Sequence, residues 1–327
     1  MSKKSTALYR KLIREAWRLT WERKALWIFG IFAAVISTGG VVDIATATIK
    51  RVKVGGNLLE QLMNSSFFGY DLASQYIHQL QYIGTGRMAG ILTAATLIAL
   101  LVIAMAVLSQ GALILGAKNQ DIPSPHSIRK EAHKHFWDLL TIATLTKVAN
   151  ALLVVLMTLP LLLFYVQTTL YSASLFFLGM ILFIPAVLIV NIISMLALID
   201  VVAKNRGAIH AIEHALCIFK KHWVSTIEFG LLLFMIIFGV GFVLVAAISL
   251  LSIPYAIAYT TTLLSGSYAL FIMTNILSFV VVTALILTMG GAMVSFQYIA
   301  WYQFYMRAIH KTHGRHPFAC MLKLLGR

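Results

Sequence analysis

The sequence predicts an all-α integral membrane protein with about six transmembrane helices and amphipathic interfacial helices on the cytoplasmic side. Hydrophobic residues make up 60% of the 327 positions, charged residues only 11%, and the mean hydropathy is +0.87. An ordinary soluble domain is ~45–50% apolar and ~25% charged, so water alone cannot solvate this much apolar surface. The apolar residues also fall into long runs that basic residues flank. Composition, run length and charge placement therefore all indicate a bilayer.

Six apolar runs are long enough to cross the hydrocarbon region, which needs ~20 consecutive apolar residues. The predicted spans cover residues 25–49, 88–117, 139–166, 174–203, 225–251 and 268–305. The last run exceeds one bilayer thickness, so we expect it to tilt, to break near Gly290 and Gly291, or to extend into the cytoplasm. The first run could instead belong to a cleaved signal peptide, but the long, helically patterned basic segment before it favours a retained span.

The placement of basic residues predicts the orientation. Of the 26 Lys and Arg residues, four lie in the loop 50–87, one is Lys147 within a span, and 21 lie on the other side. Those 21 fall in segments 1–24, 118–138, 204–224 and 307–327. The positive-inside rule then places both termini in the cytoplasm, and we expect a bacterial plasma membrane. The net charge of +15 is accounted for by anionic headgroups, so we expect no nucleic-acid partner.

The chain accordingly divides into three regions. Residues 1–24 form a basic amphipathic N-terminal helix, residues 25–306 form the six-span helical membrane domain, and residues 307–327 form a basic cytoplasmic tail. Within the membrane domain we expect the outer loop 50–87. We also expect inner surface helices near the segments 127–136 and 207–222.

Two junctions between a surface helix and a span resemble one another. Lys134 and Trp137 precede the third span, and Lys220 and Trp223 precede the fifth span 86 residues later. The segment 1–24 ends in a similar way, which favours three consecutive units, each a surface helix followed by a helical hairpin. Any protein that obeys the positive-inside rule also makes basic junctions with tryptophan, so a true duplication is one of two interpretations.

The surface helices supply the candidate lipid-binding residues. Their basic side chains are expected to face anionic headgroups while the apolar side chains dip into lipid. The candidates are Arg10, Arg14, Arg18, Lys134, Lys220 and Lys221.

A second set of candidates lies within the spans. Lys147 is ~12 Å into its span, where a charge costs roughly 2.5–3.5 kcal/mol at the membrane centre. Asn150 is one turn further on, Asn191 lies on the next span, and Asp200 and Glu228 enter at similar depths. The set predicts either a polar pocket for a headgroup or solute, or a structural pair that holds helices together. We expect the Lys147 ammonium to pair with Asp200 or Glu228, or to reach the inner headgroups.

One motif raises the possibility of a metal. His210, Glu213 and His214 match the H-x-x-E-H pattern of inverted zinc peptidases, in which two imidazoles on one helix face bind zinc. A third ligand and a cleft are also required, and an amphipathic surface helix explains the same residues. We therefore expect no cofactor. Cys217 and Cys320 are expected to be free thiols, as is usual in the cytoplasm.

Several short segments resemble a known family. These are residues 26–33, 198–203, 207–212 and 219–223, which are similar to segments of poorly characterised bacterial multi-span proteins. Those proteins form the glycerophosphoryl diester phosphodiesterase membrane-domain-like family. The resemblance implies a multi-span helical fold. It implies no catalytic residues here, because the soluble phosphodiesterase barrel of the family needs ~250 residues and no soluble stretch is that long.

Three interpretations of function follow. The first is a non-enzymatic membrane protein that binds anionic lipid or a membrane-protein partner, including a second copy. The second is a transporter or channel for a small solute, with its polar site around Lys147, and the third is a membrane-interfacial enzyme. A cavity lined by Lys147, Asn150 and Asn191 would favour transport. Closed packing there, with exposed basic side chains at the inner end, would favour lipid or partner binding.

The charge distribution makes the topology testable. Single cysteines that replace Ser5 and Thr312 should react with an impermeant maleimide only from the cytoplasmic side, and a cysteine at position 64 only from outside. Reaction of the first two positions from opposite sides would show an odd number of spans.

Overall fold

The computed structural model describes residues 3–37, 85–118, 125–166 and 169–310, and within these ranges the chain is helical without strands. The all-α prediction is thus confirmed. We number the helices in chain order. They are α1 (Lys3–Glu22), α2 (Leu26–Ser37), α3 (Thr85–Lys118), α4 (Pro125–Lys134), α5 (Phe136–Val166), α6 (Leu170–Lys204), α7 (Ala208–Ser265) and α8 (Tyr268–His310).

Five of these helices, α3 and α5 to α8, are long and apolar enough to cross a membrane. Helix α2 begins where the first predicted span begins, and the rest of that span lies outside the described residues, as do most of the outer loop 50–87 and the tail beyond His310. The chain is therefore a multi-pass membrane protein, and five described spans are consistent with the predicted count of about six.

Two long helices differ from the predicted boundaries. The fifth span was expected to end near Leu251, but α7 continues through Pro254 to Ser265. Helix α8 is continuous through Gly290 and Gly291, so a break there, one of three alternatives for this long run, does not occur. In the part of α7 beyond Leu251, the hydroxyls of Thr260, Thr261 and Thr262 donate to carbonyl oxygens three residues earlier in the helix.

A surface helix, an interruption and a following apolar helix recur three times among the described residues. Helices α1 and α2 are separated by the turn 23–25, and α4 and α5 by His135. Within α7 the backbone leaves helical geometry at His222, where φ is −126° and ψ is 30°. The three predicted surface segments are therefore helical. We name α1, α4 and the part of α7 before His222 the surface helices, and the end of the bundle where they lie the basic end.

The packed core lies towards the basic end. Its largest fully buried side chains include Leu113, Leu196, Phe229, Phe296 and Tyr305. Further from that end the long helices are mostly exposed; Leu97 is 62% and Leu182 is 64% exposed. Lipid tails solvate apolar side chains as well as a protein core does. Apolar side chains therefore need to pack inside the protein only near the helix ends, where water would otherwise contact them.

Helices α2 and α8 cross closely at two glycines. A Cβ atom added to Gly291 would lie 2.6 Å from the Trp27 carbonyl oxygen, and one added to Gly30 would lie 2.1 Å from the Gly291 oxygen. The Ser295 hydroxyl donates to the Leu26 carbonyl at 3.0 Å beside this crossing. A side chain at Gly30 or Gly291 would therefore overlap the facing backbone.

Other glycines are in open surroundings. Gly239, Gly241 and Gly290 have no neighbouring atom within 4 Å of an added Cβ among the described residues.

Adjacent glycines on α8 provide a matched test. Gly291→Ala should lower the free energy of unfolding by roughly 1–3 kcal/mol, because the new methyl group overlaps the α2 backbone. Gly290→Ala should be neutral or stabilising by up to ~1 kcal/mol, since alanine favours the helix and the space is open. Unfolding by SDS in mixed micelles measures both, and equal effects would contradict the crossing.

Candidate functional site

The surface helices turn their apolar sides towards the protein. Leu12 and Ala16 of α1, Ala132 of α4, and Ala211 and Ala215 of α7 are at most 1% exposed. We had expected such side chains to dip into lipid, and for these residues that expectation is wrong. An amphipathic helix can bury its apolar side in lipid or against other helices, and here the ends of the long helices supply that contact.

The basic side chains of the same helices face outward. All six predicted candidates are exposed, together with further lysines and arginines at the same end. We name this set the basic belt. It comprises Arg10, Lys11, Arg14, Arg18, Arg129, Lys130, Lys134, Lys204, Lys220 and Lys221. Arg18 also pairs with Glu22 at 3.4 Å in an exposed i, i+4 contact. Because this pair offsets only one basic side chain of the set, the belt remains strongly positive.

Tryptophans accompany the basic belt. Trp137 is 75% and Trp223 is 57% exposed, each beside an interruption that precedes a long helix. Trp17 and Trp21 are partly exposed and make ring contacts with Phe296 and Trp27. Exposed tryptophan next to Lys and Arg is typical of a membrane–water interface.

A buried carboxylate fixes one surface helix to the bundle. Asp200 of α6 is 0% exposed and accepts a hydrogen bond from the hydroxyl of Tyr305 on α8. The Arg206 guanidinium donates to Asp200 at 3.2 Å from the connection between α6 and α7. His214 Nδ1 lies 3.2 Å from Asp200 Oδ2, within ion-pair distance but not aligned for a hydrogen bond. Three parts of the chain thus meet at one side chain.

A second contact fixes the start of the same helix. The Ala208 amide at the beginning of α7 donates to the Asp138 side chain of α5 at 3.0 Å. A carboxylate at a helix N-terminus satisfies an otherwise free amide and complements the helix dipole. The N-terminal part of α7 is therefore held by both Asp138 and Asp200.

Helix α1 is held by separate polar contacts. The Tyr9 hydroxyl donates to Glu228 of α7 at 3.3 Å, and Glu15 pairs with Arg307 of α8 at 3.2 Å. Burial raises the pKa of Tyr9, and the Glu228 charge acts in the same direction, so Tyr9 stays a protonated donor at neutral pH. Together, these two contacts hold α1 against both α7 and α8.

The predicted zinc ligands face different surroundings. His214 is 15% exposed and faces Asp200, whereas His210 is 80% exposed and lies 3.4 Å from Glu213. Among the described residues, no group of three or more His, Cys, Asp or Glu side chains is placed to hold a metal ion. Within the H-x-x-E-H segment, His214 thus belongs to the Asp200 contacts and His210 does not.

The polar residues of α5 and α6 bond to one another. Asn150 donates to Asn191 at 3.4 Å, and the Thr146 hydroxyl donates to Ser194 at 2.7 Å. Asn150 is 6% exposed, so these contacts lie inside the interface between α5 and α6. We name them the polar seam. The Lys147 side chain lies on the exposed side of α5.

Both carboxylates that we named as possible partners of Lys147 contact other residues as well. Asp200 is contacted by Arg206, His214 and Tyr305, and Glu228 accepts from Tyr9. The sequence offered no local signal for Tyr305 or Tyr9, because each lies more than 100 residues from its partner. Cys217 is disulfide-bonded, so the expectation of a free thiol is wrong at that position, and Cys320 lies outside the described residues.

Comparison with known proteins adds no relative: no family model, curated protein or solved structure matches the chain.

The Asp200 cluster can be tested by a double-mutant cycle. Asp200→Asn should lower the free energy of unfolding by roughly 2–3 kcal/mol, because Arg206 loses its counter-ion, partly offset by the solvent access of Arg206. The losses for Asp200→Asn and His214→Gln should be non-additive, since the two side chains are in contact. The control pair, Asp200→Asn with Lys147→Met, should be additive within ~0.5 kcal/mol. Strong coupling in the control would instead place Lys147 in the cluster.

Proposed function

We propose that this chain is a non-enzymatic integral membrane protein whose basic belt binds anionic lipid headgroups. The basic end then faces the cytoplasm, both termini are cytoplasmic, and the membrane is a bacterial plasma membrane. The proposal groups the chain with the glycerophosphoryl diester phosphodiesterase membrane-domain-like proteins, which it resembles in residues 26–33, 198–203, 207–212 and 219–223.

The observation that carries the proposal is the orientation of the surface helices. Their apolar sides are used in the protein core, and their basic sides are exposed beside tryptophans. Each Lys or Arg near an anionic membrane surface contributes ~1 kcal/mol to binding. Dissolved salt screens this attraction and therefore weakens it. A basic surface of this kind favours headgroups with a net negative charge over zwitterionic ones.

The belt is also held in place before lipid binds. Asp138 and Asp200 fix the start of α7, and Glu15 and Tyr9 fix α1. Binding headgroups therefore requires little ordering of backbone, and ordering is one of the main costs of association.

The polar seam of α5 and α6 supports this function over transport. A solute site around Lys147 would use Asn150 and Asn191, but these two amides bond to each other across the helix interface. Thr146 and Ser194 are engaged in the same way. The seam therefore supports a role in holding α5 against α6.

Spin-labelled lipids test the proposal in reconstituted membranes. The protein should immobilise labelled phosphatidylglycerol more strongly than phosphatidylcholine, and added salt should reduce the difference. Replacing Arg10, Arg14 and Arg18 together by Gln should weaken the preference by up to ~1 kcal/mol per removed charge. The matched Arg→Lys triple variant keeps the charge and should keep the preference. Equal immobilisation of both lipids by the unmodified protein would exclude the proposal.

A further inference from the structure

Helix α1 carries two rows of exposed or partly exposed side chains that differ in chemistry. One row consists of Arg10, Arg14, Trp17 and Trp21, and the other consists of Lys11, Glu15, Arg18 and Glu22. Each row repeats at intervals of three or four residues, so its members share one side of the helix. We name them the tryptophan row and the acidic row. Both acidic residues of α1 lie in the acidic row, whereas the tryptophan row contains only positive charges and aromatic rings.

The contacts of α1 with α8 distinguish the two rows by depth. The Trp17 ring lies 5.5 Å from the Phe296 ring of α8, and Glu15 pairs with Arg307 of the same helix at 3.2 Å. Arg307 is the first charged residue after Glu228, and Phe296 lies ~16 Å further into the uncharged length of α8. The tryptophan row is therefore turned towards the apolar part of α8, and the acidic row towards its charged end.

The tryptophan row also borders the start of α2. The Trp21 ring lies 5.1 Å from the Trp27 ring of α2, and Ile28 beside Trp27 is 60% exposed. Helix α2 begins where the first predicted span begins, so this contact places the row next to a point of entry into the membrane. Tryptophan is enriched at that depth, because its ring is largely apolar while its N–H can form a hydrogen bond.

The surface helix of α7 shows the same kind of asymmetry. Its apolar row, Ile209, Leu216 and Lys220, combines a 70% exposed Ile209 and a 36% exposed Leu216 with one lysine. The neighbouring side of the helix carries a polar row, which we name the histidine row and which consists of His210, Glu213, Cys217 and Lys221. Directly after the interruption at His222, Trp223 and Val224 are each 57% exposed. The apolar row thus leads to the exposed start of the long apolar part of α7.

We propose that both surface helices lie on the inner leaflet with the tryptophan row and the apolar row against lipid, and with the acidic row and the histidine row in water. Charge identifies lipid as the occupant, because an anionic leaflet attracts Arg10, Arg14 and Lys220 and repels the carboxylates, which lie on the other rows. Aromatic and apolar side chains beside those charges fit the boundary between headgroups and acyl chains. The inference rests on the proposed function for the membrane that the basic end faces, and it names the side chains that touch lipid.

The proposal divides the basic belt, and matched charge removal on α1 tests this division. Arg10→Gln with Arg14→Gln removes two positive charges from the tryptophan row, and Lys11→Gln with Arg18→Gln removes two from the acidic row. In reconstituted membranes the first pair should reduce the preference for spin-labelled phosphatidylglycerol roughly fivefold more than the second, because only the first pair contacts headgroups. Equal reductions by the two pairs would contradict the assignment of the rows.

Spin labels at adjacent positions test the orientation directly in proteoliposomes. Both native cysteines are first replaced by Ser, and a label is attached to Ile209→Cys or to His210→Cys. The two positions are neighbours with exposed side chains, but they belong to different rows. The label at position 209 should collide more with oxygen, which concentrates in lipid, than with a water-soluble nickel complex, and the label at position 210 should do the reverse. Trp21→Cys and Glu22→Cys form the same kind of pair on α1.

Two results of the spin-label experiment would overturn the proposal. Preferential access of the nickel complex at both members of a pair would place both rows in water. Low access of both reagents at position 209 would show that a second copy or another part of the chain covers the apolar row. The labels can be measured in phosphatidylcholine alone, so they decide the orientation even if the unmodified protein shows no preference for anionic lipid. The absence of that preference would exclude the proposed function, whereas the labels test only which side chains touch the membrane.

Discussion

Asp200 connects the membrane bundle to the surface helix that follows it. An ionised carboxylate without solvent contact is stable only with nearby positive charge and hydrogen-bond donors. Tyr305 donates a hydrogen bond from α8 and Arg206 supplies positive charge from the connection, while His214 of the surface helix lies against the carboxylate. The connection must therefore turn back sharply, and Asn205 adopts a left-handed conformation with φ of 53° where α6 ends. The position of the belt residues on α7 depends on this arrangement.

Local chemistry was enough to predict the elements of the fold. Apolar runs located the long helices, and the junctions at Trp137 and Trp223 located the interruptions at His135 and His222. These features are predictable because hydrocarbon requires every backbone group to bond within its own helix, which leaves few conformations. The close crossing was also foreseeable, since glycine permits helices to approach within van der Waals contact of the backbone.

The partners of the polar side chains could not be predicted in the same way. Tyr9 and Glu228 are 219 residues apart, and Asp200 and Tyr305 are 105 apart, so no spacing in the sequence links them. The apolar sides of the surface helices presented a different difficulty. The spacing of Ala211 and Ala215 places both on one side of the helix, and this spacing is equally compatible with contact to lipid and contact to protein. Only the tertiary arrangement shows that the protein buries them, which leaves only the exposed sides to interact with the membrane.

The two ends of the bundle therefore meet different physical demands. At the basic end, water and headgroups surround many charges, and the structure responds with a dense core, paired carboxylates and helices fixed across the bundle. Towards the other end, residues 229–306 of α7 and α8 carry no charged side chain, and many of their apolar side chains are exposed. Under the proposed function, headgroup binding uses only the exposed charged sides at the basic end, while the apolar part of the bundle needs only contact with lipid tails.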